Sequence, residues 1–171
     1  MNYLYADSVL DLVRVSTEYC RYLETCSNEN VSHFTHVCCG LLPMIYLKAH
    51  IISNVPEETE GFGYEMVSEE DYNYIRGNVA SILGEHDDFL DVFVEDFKYS
   101  DQPILCTVSE NLADIYQQLR NLAATYQEED EEAMKVALWD TVNEFKLGWG
   151  QKLLNALRAL HDLNNTDTGE V

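Results

Sequence analysis

The sequence predicts an all-α fold, an up-and-down helical bundle of about six helices with a kinked central second helix and a long C-terminal helix. Three observations carry this. Apolar residues recur at three- and four-residue steps along most of the 171 residues, no segment shows sustained strand-like alternation, and the breaks between periodic stretches are short. A chain of this length fits one domain and can bury a sizeable core without disulfide staples. Residues 1–163 read as that single helical domain, and the polar residues 164–171 as a disordered tail.

The first helix follows Asp7 or Ser8 as N-cap, with Val9, Leu12, Val13, Ser16, Cys20, Leu23 and Cys26 on one face; Ser27-Asn28-Glu29-Asn30 ends it. The second opens at Ser32, with His33 at its start. Its main stripe is Phe34, Val37, Cys38, Leu41, Leu42, Ile45, Ala49 and Ile52. A weaker stripe, His36, Gly40, Pro43, Leu47 and Ile51, lies opposite, and Lys48 is the only Lys, Arg, Asp or Glu between Ser32 and Pro56. A helix apolar nearly all round is expected at the centre of a bundle. Pro43 should kink it, because it removes one intrahelical hydrogen bond.

Residues 55–67 read as a solvated connection. Ser68-Glu69-Glu70-Asp71 then opens a third helix through Tyr72, Ile75, Val79 and Leu83, closed by Gly84. Residues 87–97 sort as a fourth helix at 100° per residue, with Phe89, Leu90, Phe93, Val94 and Phe97 on one side and Asp87, Asp88, Asp91 and Glu95 on the other. Tyr99-Ser100-Asp101-Gln102-Pro103 is turn-rich. Thr107-Val108-Ser109-Glu110 is a second capping box, launching Leu112, Ile115, Tyr116, Leu119, Leu122 and Tyr126. The acidic run 128–132 turns the chain into a last helix from about Glu131 to Leu163. Gly148 and Gly150 weaken that helix around Trp149, where it bends or admits a close neighbour.

Charge is the chain's most unusual property. Ten basic side chains face 31 acidic ones, a formal −21. Such a field repels phosphate backbones and anionic lipid, so nucleic acid and membrane surfaces are not expected as partners; a protein with a basic surface is. The acid is uneven: residues 1–132 hold 26 acids and 6 bases, residues 133–163 only 3 and 4. The N-terminal Met-Asn-Tyr-Leu-Tyr-Ala-Asp lacks the basic region of a secretory signal, and no apolar run approaches a membrane span. Five cysteines, Cys20, Cys26, Cys38, Cys39 and Cys106, form no disulfide framework, which fits a reducing cytoplasm.

Several blocks in one order carry a family resemblance. They are Leu41-Leu42-Pro43 with Ile45-Tyr46-Leu47-Lys48-Ala49, then Glu69-Glu70-Asp71-Tyr72-Asn73-Tyr74-Ile75, then Asp87 to Asp96. Tyr99-Ser100-Asp101-Gln102-Pro103-Ile104, Leu112-Ala113-Asp114-Ile115-Tyr116, Trp149-Gly150-Gln151-Lys152-Leu153 and Arg158-Ala159-Leu160-His161 complete the set. Together they resemble a bacterial domain-of-unknown-function family, number 5063, from the first helix to His161. The resemblance implies a small helical bacterial protein and implies no reaction or cofactor.

Candidate chemistry is sparse. On a helix, Asp88, Asp91 and Glu95 would share a face and could hold Mg²⁺ or Mn²⁺, with Glu69, Glu70, Asp71 or Asp114 supplying a facing carboxylate; a solvated acidic face gives the same pattern. His33, His36 and Cys39 recur at zinc-like steps, but no paired CxxC accompanies them, and Cys38 belongs to the core stripe. There is no nucleophile elbow, P-loop, dinucleotide fingerprint or HExxH. Asp87, Tyr99, Asp101 and Gln102 are candidate interaction residues, and Tyr72, Tyr74 and Tyr116 offer rigid faces with a hydroxyl. No cofactor is expected. The sequence therefore points to a non-enzymatic acidic helical module that binds a basic protein surface. The alternative is a divalent-metal hydrolase of a phosphorylated small molecule, with Mg or Mn on the carboxylate-lined face. A carboxylate array imitating nucleic acid is a third possibility. The oligomeric state is not legible in the sequence.

Overall fold

A computed structural model describes residues 2–91 and 104–166. Its helices are α1 (Asp7–Thr25), α2 (Val31–His50), α3 (Glu69–Leu83), α4 (Val108–Gln127), α5 (Glu131–Glu144) and α6 (Gly150–Asn165). Two strands, β1 (Asp88–Asp91) and β2 (Ile104–Thr107), lie between α3 and α4. The predominantly helical architecture is the one the periodicity predicts.

Local chemistry sets most helix ends. Ser68 and Asp71 form a reciprocal capping box at α3, and Gly84 at φ +55° terminates that helix. Thr107 caps α4 by accepting from the Glu110 N–H. At α2 the cap is Asn30, whose side chain accepts from the His33 N–H, so His33 is a helical residue rather than the cap. α1 begins at Asp7 with Ala6 before it and no side-chain cap; Asp7 sits in the first turn, where a carboxylate favours the helix dipole.

The centre of the bundle is α4. Its buried residues include Leu112, Ala113, Ile115, Tyr116, Leu119, Leu122 and Ala124, and it packs against α1, α3, α5 and α6. Side-chain ties hold these neighbours to it, and two of them set α1 antiparallel. Tyr19 of α1 donates to the Leu112 carbonyl at 2.7 Å, and Tyr126 at the far end of α4 donates to the Leu4 carbonyl at 3.0 Å. Asp114 accepts from the Tyr72 hydroxyl of α3 at 2.7 Å and from Lys152 of α6 at 2.6 Å. The connection after α2 also clasps α4: the Tyr64 and Met66 N–H groups donate to Thr125 and Asn121 side chains.

This centre differs from the expected one. α2 packs on α1 and α6 and runs through Pro43, but His36, Gly40, Pro43, Leu47 and Ile51 are all exposed. α2 therefore lies at the periphery. Its first stripe supplies the core through Phe34, Cys38, Leu42, Ile45 and Ala49.

Two further corrections concern the second half of the chain. The expected helix over 87–97 is a strand where it is described. β1 pairs antiparallel with β2 in the register Asp88↔Thr107, Phe89↔Cys106, Leu90↔Leu105 and Asp91↔Ile104. The helical pattern is spread over residues 87–97, but pairing of 88–91 with a segment further along the chain overrides local periodicity. Asp87, just before β1, is buried and accepts from both the Ser109 N–H (2.7 Å) and the Ser109 hydroxyl (2.6 Å). This carboxylate satisfies an orphan donor in the first turn of α4.

The last rod is continuous from Glu131 to Asn165, but Phe145–Trp149 forms a π turn between α5 and α6. There the Gly150 N–H reaches the Phe145 carbonyl, and a Cβ at 150 would collide with that oxygen and lie 3.0 Å from the Phe145 ring. The widened turn packs Phe145 at a tilt of 59° against Trp149 (4.8 Å) and sets it edge-on to Tyr46 of α2 (5.0 Å). The Trp149 indole N–H donates to the Thr141 carbonyl at 2.9 Å. α6 extends to Asn165, two residues into the segment read as a tail, and residues 167–171 lie outside the described residues. No helix among the described residues is long and apolar enough to cross a membrane.

Two predictions follow from these ties. Asp87→Ala leaves the Ser109 N–H unpaired at a buried helix start and is expected to cost about 1–3 kcal/mol in urea unfolding. Burial raises the phenol pKa of Tyr19, Tyr22, Tyr72, Tyr116 and Tyr126 above the ordinary 10.0. The unfolded chain then releases these protons first as pH rises. The neutral phenols' stabilisation is complete below pH 10.0 and is lost above it. Denaturant midpoints should fall steeply on that alkaline side, with phenolate absorbance rising as the chain unfolds.

Candidate interaction surface

Along α2 and its C-cap the exposed residues His36, Gly40, Pro43, Leu47 and Ile51 follow one another at three- and four-residue steps with Met44 beside Pro43, so they form one strip. Met44, Leu47 and Ile51 are 49%, 55% and 47% exposed, values far above those of a core helix. No acidic residue lies on α2 at all. The only cation, Lys48, donates to Asp11 of α1 at 3.0 Å, and Arg14 reaches the same carboxylate at 3.1 Å. The Lys48 hydrogen bond and charge hold Asp11 below the usual carboxylate range.

A groove of about 480 Å³ runs beside the strip between α1 and α2. Val15, Leu41 and Met44 line it together with Lys48, and Asp11, Arg14 and Glu18 stand on its α1 rim. An apolar strip whose nearest charges, Asp11, Arg14 and Lys48, are paired with one another is a chemically distinct window on a chain of formal charge −21. It can desolvate cheaply against another apolar surface, while the acid around it acts on charge at longer range.

The residues singled out in the sequence fall elsewhere. Asp87 is committed to Ser109 and is not a surface contact. Asp88 and Leu90 are exposed, whereas Phe89 and Asp91 turn inward, as alternation along a strand requires. Asp88 and Asp91 therefore point to opposite faces, and the helical spacing that would have paired them does not apply. Asp91 accepts from Asn155 of α6 at 3.3 Å. Glu95, Tyr99, Asp101 and Gln102 lie outside the described residues. His33 is exposed with its ring 3.6 Å from Glu29. Among the described residues, no group of three or more His, Cys, Asp or Glu side chains could hold a metal ion.

The remaining polar constellations are structural ties. The Tyr72 and Tyr116 hydroxyls serve Asp114 and Glu24, and only Tyr74 of the three tyrosines is exposed. Burial pushes the Cys20 and Cys38 thiols far up and Cys26 to about 11, so these cysteines stay protonated and unreactive.

Comparison with known proteins agrees with the blocks read from the sequence. Residues 3–166 match the family described as Domain of unknown function (DUF5063). The chain belongs to this family. It is also similar to a solved structure, protein BF1032 from Bacteroides fragilis, with 32% identity and a TM-score of 0.87 over 99% of this chain and 100% of that one. No curated protein matches. For this DUF5063 member the site must therefore be argued from its own residues. The sequence contains a trace of the α2 strip in the acid-free run from Ser32 to Pro56, a pattern that a buried helix shares.

Exposure separates the two faces of α2 energetically. Leu47→Ser should change stability by less than about 0.5 kcal/mol, whereas Leu42→Ala, at a fully buried position, should cost about 2–5 kcal/mol. Paired urea denaturation curves check both.

Proposed function

We propose that this DUF5063 protein is a non-enzymatic helical interaction module whose α2 strip docks a protein with an apolar centre and a rim of Lys and Arg. The observation that carries the reading is the coincidence of three exposed large apolar side chains, Met44, Leu47 and Ile51, with a helix free of acid on a chain of −21. Burying the three would contribute a few kcal/mol at about 25 cal/mol per Å². The acidic surroundings would accelerate encounter with a basic partner and repel acidic ones. A second copy of the same chain brings a second −21 to the contact, which disfavours self-association.

A photo-crosslinking side chain placed at position 47 tests the proposal. It should trap a protein whose crosslinked segment has apolar residues flanked by Lys or Arg. Trapping should weaken as salt is raised and vanish in Ile51→Glu, which keeps the native melting profile. A crosslinker at Asp140, away from α2, serves as control. Equal trapping at both positions, or a captured segment belonging to a second copy of this chain, would overturn the reading.

A further inference from the structure

The opposite flank of α1 carries a different site. A groove of about 600 Å³ lies between α1 and α4, and the antiparallel packing of these helices orders its lining by charge. At one end stand Arg120, Glu24 and Arg21, the last also paired with Glu18 at 3.2 Å. Val13 and Ala123 form the middle, and Tyr126 and Glu129 close the far end. From Arg120 to Gln127, where α4 ends, the rise is roughly 10 Å at 1.5 Å per residue, and the turn that carries Glu129 lies beyond it.

Arg120 is underused. Its Nε lies 3.6 Å from Glu24 Oε1, and it donates no hydrogen bond to a described residue. Glu24 Oε1 meanwhile accepts from the Tyr116 hydroxyl at 2.9 Å, which fixes that carboxylate on the Nε side. The two terminal amino groups of the guanidinium donate to no described residue, although Asp71 lies within electrostatic range, and they present the fork geometry that matches a carboxylate. A net anion would meet the repulsion of the whole chain. A zwitterion would not, and Glu129 offers a counter-charge for an ammonium at the other end. The span suits about four extended residues at 3.3 Å each.

We propose that the α1–α4 groove binds a short free peptide of about four residues with apolar side chains. Its C-terminal carboxylate sits at Arg120 and Arg21, its body lies over Val13 and Ala123, and its amino terminus faces Glu129. The site is separate from the α2 strip and does not depend on it.

Calorimetric titration of the full chain with a tetrapeptide of alternating alanine and leucine tests this, beside the same peptide with an amidated C-terminus or an acetylated N-terminus. The free peptide should bind, and amidation should weaken it about tenfold or more, equivalent to about 1.4 kcal/mol. Arg120→Gln should weaken the free peptide to a similar extent and abolish the difference between free and amidated forms. Glu129→Gln, in an exposed turn, should weaken the free peptide but not the acetylated one. Arg120→Lys keeps the charge without the fork and should retain part of the affinity, which separates loss of recognition from loss of fold. Absence of binding at millimolar peptide, or equal binding of free and amidated peptide to the native chain, would overturn the proposal.

Discussion

Helix α4 buries residues on more than one side: Leu112, Leu119 and Leu122 are fully covered, and so are Ala113, Ile115 and Tyr116. A helix apolar around that much of its circumference cannot rest on a single neighbour. α1, α3 and the α5–α6 rod each lay an apolar face on it, and each is held in register by a polar tie to it: Tyr19 on the Leu112 carbonyl, Tyr72 and Lys152 on Asp114. These ties do more for register than for net stability. A buried phenol without a partner would be costly, so the packing in which every one of these groups is satisfied is favoured over slipped alternatives.

Surrounding α4 leaves α2 with fewer neighbours than its composition suggests. Phe34, Leu42 and Ile45 complete the core against α1 and α6, and the opposite strip from His36 to Ile51 is exposed among the described residues. Exposed apolar surface on an otherwise strongly acidic chain needs a physical account, since neither solubility nor folding calls for it. The two sites argued above thus arise from one arrangement. The outer face of α2 stays exposed, and the groove between α1 and α4 is lined by side chains of both charges.

Features decided within a few residues were readable directly. The capping pairs at Ser68 and Thr107 and the terminating Gly84 satisfy backbone groups one turn away, so their chemistry is contained in the local sequence. Gly148 and Gly150 marked a weak point in the last helix for a similar reason. They did not reveal a π turn, because its form depends on Phe145 meeting both Trp149 and Tyr46 of a distant helix. At residues 88–91 the carboxylates looked like a ligand face only on the assumption of helical geometry. Once β1 pairs with β2, the same spacing sends Asp88 and Asp91 to opposite sides. Asp87 was legible as an acid and not as the partner of Ser109, since nothing local records a contact across the intervening residues.

The sequence by itself determined the helical class, the family, most helix boundaries and the large negative charge, because periodicity, capping and composition are properties of the chain alone. Tertiary structure decided which helix occupies the centre, which apolar stripe stays in water, and whether the 88–91 carboxylates converge. Those outcomes depend on competition among elements for a limited interior. α2 and α4 both carried enough apolar surface to claim the centre, and only the packing of all the elements together could award it to α4.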